Sequence, residues 1–478
     1  MHHVEVGLAP LEQLAAILPP DRAQQLADSA TRARAEFADR VIWHVNATAQ
    51  GGGVAEMLQY LLAYGRGAGV DTRWLVLEAD AEFFAITKRL HNLLHGEPGD
   101  GGRLGDAEQQ HYESVLAANL AAMLPEVSAG DIVLLHDPQT AGLAPGLSRA
   151  GLPVAWRCHV GRDETNQCTD LAWDFLRPYL EAVDAYVFSR RVYAPAWAAD
   201  ERLVVIPPSI DPFTAKNQAL APDVMRHVVV SAGLVVGPDP DGPVRFTRRD
   251  GTLAVLGRRA GVVLDGEPPP ADAPLVVQVS RWDRLKDMVG VMEGFARVPT
   301  TGLSHEPHLM LAGPAVTGVT DDPEGAEVLA ECREHWRSLP EEVRRRVHLT
   351  SIPMDDVDEN AIIVNALQRH AYAIVQKSLV EGFGLTVTEG MWKGRPVVAS
   401  RVGGIQDQIE DGRDGLLVDD PYDLDEFADV LGRLLADPAL AERLGAAGRA
   451  RVVEAFLGDR HLQQYVDLFS HMLEGRRT

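Results

Sequence analysis

"SLVEGFGLTVTEGMWKGRPVVAS", residues 378–400, sets two carboxylates, Glu381 and Glu389, around a short glycine turn and closes on an apolar run. The preceding "AYAIVQKS" (371–378) reads as a buried strand, "TVTEGMWK" as a helix and "PVVAS" (396–400) as the next strand. A β-α-β unit of this kind belongs to a parallel sheet. Its glycine turn lies at the carboxyl end of a strand, where open α/β sheets bind ligands.

The same rhythm runs through the chain. Short runs rich in Val, Ile and Leu recur at 41–46, 72–80, 131–138, 153–160, 185–190 and 202–210. They recur again at 274–280, 308–314, 346–353, 371–378, 396–400 and 415–420, with helical patterns between them. Such runs suit strands buried on both faces. The alternation predicts an α/β protein of two Rossmann-like, doubly wound domains facing a shared cleft. The expected division is 1–211 for the first domain, 212–273 for a linker and β-insertion, and 274–455 for the second. A final helix of about 456–478 crosses back to the first. Residues 1–38 read as helical. Within the insertion, "VRFTRRDGTLAVLG" reads as a hairpin with its turn at Asp-Gly.

The chain has 478 residues and a net charge of −24, which disfavours nucleic-acid or anionic-membrane binding. Three cysteines without a CxxC pair, no apolar run of membrane-spanning length and no signal-peptide pattern at the N-terminus point to a cytoplasmic protein.

Polar clusters sit where strands end. Backbone N–H groups at Phe383, Gly384 and Leu385, at a helix N-terminus, form an anion or hydroxyl site next to Gly382. Glu381 and Glu389 suit vicinal diols, because a carboxylate accepts two hydroxyl hydrogen bonds. In "VSRWDRLKD" (279–287), Arg281 and Lys286 form a pair for a diphosphate, although ordinary helix-start charge gives the same letters. "HVNATAQGGGVAEML" (44–58) runs strand, Gly51–Gly53 turn, helix: a phosphate-cradle order without a Walker lysine. "LLHDPQTAG" offers His136 and Asp137, and "WRCHVGRDE" offers Arg157, His159 and Asp163. Together these suggest a polar-ligand pocket on the first domain.

Taken together, "EGFGLTVTEGMWKGRPVVAS" and "VGGIQDQIEDGRDGLLV" resemble the donor-binding half of retaining glycosyltransferases with the two-domain GT-B fold, the family containing sucrose synthases and many mannosyltransferases. "HVNATAQGGGVAEML", "EFFAITKRLHNLLHG", "HDPQ", "WRCHV" and "PPSIDPFTAKN" are similar to the trehalose glycosyltransferring synthases. The resemblance implies a hexosyltransferase joining glucose from a nucleotide sugar to free glucose. Glu389 would hold the nucleotide ribose, while Glu381 and the amides of Phe383–Leu385 hold the donor hexose. Arg281 and Lys286, helped by Gly52 and Gly53, would neutralise the diphosphate. His136 would lie near the reacting carbon. The base would stack near Ile352 and Met354. Asn46, Gln50, Asp137, Arg157 and His159 would line the acceptor site. No cofactor is required, with Mg²⁺ as an optional activator for which "DDPEG" (321–325) is the weak candidate; a homodimer is expected. A trehalose phosphorylase on the same fold, a retaining GT-B transferase with another sugar acceptor, and a catalytically silent sugar or nucleotide sensor are the alternatives.

Overall fold

Continuous apolar runs become strands because a parallel sheet covered by helices on both faces leaves no solvent side. The computed structural model describes residues 1–49, 52–238, 242–248, 252–257, 261–316 and 323–475. The chain divides into two units, Met1–Ile210 with Phe456–Thr478, and Asp211–Ala455.

In the first unit the strands are β1 (His2–Val4), β2 (Val41–Asn46), β3 (Asp71–Val76), β4 (Ile132–His136), β5 (Val154–Cys158), β6 (Ala185–Phe188) and β7 (Leu203–Val205). Their order is β1-β3-β2-β4-β5-β6-β7. All pairs are parallel except β1, which lies antiparallel on β3. Every residue of β4, β5 and β6 is buried. The core beside them is apolar and aromatic, with Trp43, Tyr112, Trp156 and Phe188 at its centre.

The second unit holds β8 (Arg245–Thr247), β9 (Leu253–Val255), β10 (Val263–Asp265), β11 (Leu275–Val279), β12 (His308–Pro314), β13 (Val347–Ile352), β14 (Ala373–Gln376), β15 (Val397–Ser400) and β16 (Leu416–Val418). Its sheet runs β10-β13-β12-β11-β14-β15-β16, with β10 antiparallel at the edge, while β8 and β9 pair separately.

Strand order locates the ligand-binding ends. Sequential order reverses between β2 and β4 in the first sheet and between β11 and β14 in the second. At such switch points the connections leave toward opposite faces and open a crevice past the strand ends.

The structure departs from the sequence reading in two places. Residues 2–4 form β1 rather than helix. Residues 212–273, expected as a linker and β-insertion, cluster with the second unit, which begins at Asp211: the helix Pro222–Ser231 packs on the helix Val357–His370, and β10 extends the sheet. Their Pro- and Gly-rich composition conceals these short elements. The hairpin strands β8 and β9 are present, and the Asp-Gly turn lies outside the described residues. Among the described residues, no helix is long and apolar enough to cross a membrane.

The helix Gly458–Gly475 is part of the first unit. The Asp459 carboxylate accepts from Arg22 Nη2 (2.6 and 2.7 Å) and Nε (3.0 Å) and is almost fully buried. Arg460 donates to the carbonyls of Pro207 and Pro208 (2.8 and 3.0 Å), which fixes the "PPSI" segment.

Candidate functional site

The second unit gathers its candidate residues at the β11/β14 switch point. After β11 the chain makes a 3-10 turn, Arg284–Lys286, capped by Asp283. After β14 come Lys377, Ser378 and the glycine turn. Gln278, fully buried on β11, joins the two ends: its Nε2 donates to the Lys286 carbonyl (2.8 Å) and its Oε1 accepts from the Lys377 amide (3.1 Å).

Across this gap Lys286 Nζ lies 2.6 Å from Glu381 Oε2, both side chains largely buried, and Ser378 Oγ donates to the same oxygen at 3.2 Å. Beside them Lys377, almost wholly buried, pairs with Asp287, which sits in the left-handed region (φ 48°) and caps the helix Met288–Arg297. Arg281 is half exposed, its Nη2 3.4 Å from Asp283 Oδ2. The strand ends therefore carry three cations, Arg281, Lys286 and Lys377, each with a carboxylate nearby. Each cation is thus held by a charge-assisted contact within the protein.

Gly384, at φ 84° and ψ 61°, opens the helix Leu385–Trp392. Carbonyls on this turn are tied back: Gly404 N donates to Gly382 O (3.2 Å), and Gln408 Nε2 donates to Phe383 O and Gly384 O. A Cβ at position 384 would lie 3.1 Å from Ile405 Cγ1 and 3.2 Å from Glu381 Cγ. Gly384→Ala is expected to strain the backbone and push Glu381 from Lys286, costing about 1–2 kcal/mol of stability. Turnover should fall with it. Chemical denaturation and a rate assay check this; an unchanged rate would mean the turn is only a helix cap.

Glu389, one turn into that helix, is buried. Its Oε1 lies 2.9 Å from Lys216 Nζ, and its Oε2 is buried without a hydrogen-bond partner. Ile352, the last residue of β13, is buried with its carbonyl accepting from Ala315 N (2.8 Å), while Met354 is part-exposed.

In the first unit three histidines from β2, β4 and the residue after β5 form a hydrogen-bonded column. His44 Nδ1 meets His136 Nε2 at 3.1 Å, and His136 Nδ1 meets His159 Nε2 at 3.2 Å, with rings stacked 5.4 and 5.5 Å apart. Burial and then the Arg157 charge pull His44 down to about 3. Burial, the neighbouring rings and Arg157 hold His136 far below the ordinary range, and burial with Arg157 does the same to His159. Three neutral rings, each with one donor and one acceptor, must point their bonds in one direction along the column.

Asp137 turns in the left-handed region (φ 63°). Its Oδ1 accepts from His159 N (2.7 Å), and burial raises its carboxyl to about 7.

Several acceptor-side expectations need correction. Both ring nitrogens of His136 are taken, His44 and His136 are buried, and His159 is the part-exposed member of the column. Asn46 spends its amide internally, accepting from Trp74 Nε1 and donating to Thr48 O (both 2.7 Å). Arg157 is fully buried and turns to the last helix. It donates to His461 Nε2 (2.6 Å), the Tyr465 hydroxyl and Ile206 O (2.9 Å). That fixes His461 as the Nδ1–H tautomer, donating to Ser209 Oγ at 2.9 Å. Arg157 thus braces the strand-end framework rather than lining a surface. Gly52 (φ 82°) caps the helix Gly53–Gly67, while Gln50 and Gly51 lie outside the described residues. Arg190 holds Asp163.

Lys216, Gln278 and Lys377 were not assigned roles from the sequence, and His44 was expected only as part of the 44–50 segment on the acceptor side. A strand-end lysine or glutamine gives no sign that it will be buried, and His44 joins His136 only because β2 and β4 are neighbours. Asp321 and Asp322 are not described. Among the described residues no group of three or more His, Cys, Asp or Glu side chains is placed to hold a metal ion.

A family model described as "Glycosyl transferases group 1" matches residues 265–451. A solved trehalose-6-phosphate synthase shares the architecture over 91% of this chain and 99% of its own, with a TM-score of 0.66 at 14% identity, a likeness of fold alone. Fold and strand-end site thus define a group 1 glycosyltransferase of GT-B architecture. A model described as "Trehalose synthase, N-terminal domain" matches residues 44–195. A trehalose synthase of Pyrococcus horikoshii is 32% identical over 98% of this chain and 97% of its own. One of Rubrobacter xylanophilus is 34% identical over 90% of each. The chain belongs to the trehalose synthase family.

Proposed function

We propose that this chain transfers glucose from a nucleoside-diphosphate glucose to free glucose, with retention at the anomeric carbon, giving trehalose. The observation that carries this reading is the Lys286–Glu381 pair, 2.6 Å apart at a switch point, beside a glycine turn pinned by its carbonyls. The reaction breaks the bond from the donor C1 to the diphosphate oxygen and forms one from C1 to an acceptor hydroxyl oxygen. The hydroxyl proton passes to the departing phosphate, so no protein base is needed.

What limits such a transfer is charge building on the leaving group, and Lys286 and Arg281 meet it in a partly dry site. Glu381 holds donor hydroxyls and Glu389 the ribose. This is unlike a retaining glycosidase, whose paired carboxylates flank the bond as acid and nucleophile. His159, at the end of the histidine column, contacts the acceptor. With Arg281 and Lys286 facing the diphosphate, a metal ion acts at most as an activator. Three free cysteines fit a cytoplasmic enzyme, and a homodimer is the assembly expected in light scattering.

The test is product analysis by NMR with ¹³C-glucose as acceptor and UDP-, ADP- or GDP-glucose as donor, with and without EDTA. Trehalose labelled in one ring, formed with EDTA present, supports the reading. Trehalose formed from glucose 1-phosphate with release of phosphate, and none from any nucleotide donor, would replace it with a phosphorylase.

A further inference from the structure

The stretch 211–218, where the chain enters the second unit, is held in place by side chains of two helices. Asn365 Nδ2 donates to the carbonyls of Ala215 and Gln218 (2.9 Å each). Arg369 Nη2 donates to those of Asn217 and Gln218 (2.9 Å each). Trp392 Nε1 donates to the Asn217 carbonyl and Lys393 Nζ to Asn217 Oδ1 (3.0 Å each). Asn217 Nδ2 closes the loop on the Asp211 carbonyl at 3.0 Å. The backbone on both sides of Lys216 is thereby fixed from the helix 357–370 and from the end of the helix that carries Glu389.

Lys216 uses that anchorage to place its ammonium 2.9 Å from Glu389 Oε1. The other oxygen, Oε2, is buried and receives no hydrogen bond from the protein. A buried ionised oxygen without a donor is costly. An incoming hydroxyl removes that cost, and only one of the two carboxylate oxygens is open to it. Lys393 does not take the place of Lys216: its ammonium faces Asn217 Oδ1 and lies 3.4 Å from the Glu389 main-chain carbonyl, not the carboxylate. Burial, only partly offset by the Glu389 charge, also brings it down to about 7, so it is a weak fixed charge at neutral pH.

We propose that Lys216 is a positioning residue for nucleoside recognition: it holds Glu389 Oε1 and leaves Oε2 for a ribose hydroxyl of the donor. The proposal rests on the reading above that makes Glu389 the ribose-binding group. It adds that ribose selectivity resides in the pair and is set by the anchored 211–218 segment.

The test is calorimetry on the full chain with UDP and ADP, each against its 2′,3′-dideoxy form. Wild type should favour the ribonucleotide by about ten- to a hundredfold, the range for a hydrogen bond to a charged group. Lys216→Met should lose most of that preference while binding the dideoxy form nearly as wild type does, and Lys216→Arg should recover much of it. In a Glu389→Gln background, Lys216→Met should add nothing further. Lys216→Gln with a thermal-unfolding control guards against a variant that fails to fold. Equal weakening of ribo and dideoxy forms would make Lys216 merely structural and overturn the proposal. So would selectivity that Glu389→Gln abolishes and every Lys216 variant keeps, although the ribose role of Glu389 would then stand. A wild-type chain that does not distinguish the two forms would remove that role itself, and Lys216's with it.

Discussion

Lys286→Met is expected to lower kcat by about 30- to 900-fold, ~2–4 kcal/mol of barrier, with a far smaller change in the KM for the nucleotide sugar. The Lys286 main chain is fixed through Gln278, and its ammonium is already withdrawn from bulk water against Glu381. Positioning has thus been done before the donor arrives. In the ground state the diphosphate charge is spread over several oxygens. As the C1–O bond stretches, charge concentrates on the leaving oxygen, and a fixed cation in a partly dry site gains most at that moment. Lost binding alone would raise KM and spare kcat; a lost transition-state contact depresses kcat and kcat/KM together. Lys286→Arg keeps the charge but replaces a compact point charge with a planar fork, so partial activity is expected. A Lys286→Met variant that folds normally and turns over at close to the wild-type rate would show that the leaving group is stabilised elsewhere.

The second large effect is on stability against acid. His44, His136, His159 and His461 are all held neutral, chiefly by burial, each with its proton affinity lowered in the fold. Unfolding releases each ring to its ordinary pKa of ~6.5, so below that pH the unfolded chain binds protons that the folded one refuses. Stability is therefore full above about pH 6.5 and falls as pH drops below it. Asp137 works in the opposite sense. Burial raises its folded pKa to about 7, so its contribution is present below the unfolded value near 4 and is lost as pH rises toward 7. Among these five groups, four rings against one carboxyl give an uptake of about three protons on unfolding, ~4 kcal/mol per pH unit between about 4.5 and 6, and the burial-lowered rings of His308, His348 and His370 add in the same sense. Urea unfolding followed by tryptophan fluorescence reads this directly, since Trp43, Trp74 and Trp156 are buried in the same unit. His44→Gln should reduce the slope by about one proton. A midpoint independent of pH between 7.5 and 5 would mean the column accepts protons in the folded state.

Sequence and structure agree where local pattern and fold carry the same information. The central strands announce themselves because burial on both faces demands uninterrupted apolar runs. The edge strands β1 and β10 do not, since each is three residues long, half solvated and dependent on a partner far away in sequence. Arg281, Lys286 and Glu381 were legible because they follow strands, and strand ends converge in any doubly wound sheet. The pairing of Glu389 with Lys216 was not, because 173 positions separate them and only the folded path brings them together. Arg157 misled for a related reason. A strand-end arginine reads as ligand-facing, and its true partners, His461 and Tyr465, lie some 300 residues later.

That last separation bears on how the protein is made. The first unit takes its closing helix from residues 458–475, and without it Arg157 loses two of the groups it bonds while Phe37 loses its contact with Phe469. A nascent chain with only its first 210 residues synthesised holds an unfinished apolar face and an unanswered interior charge. The second unit is contiguous in sequence, whereas the first is complete only once residues 458–475 have been made.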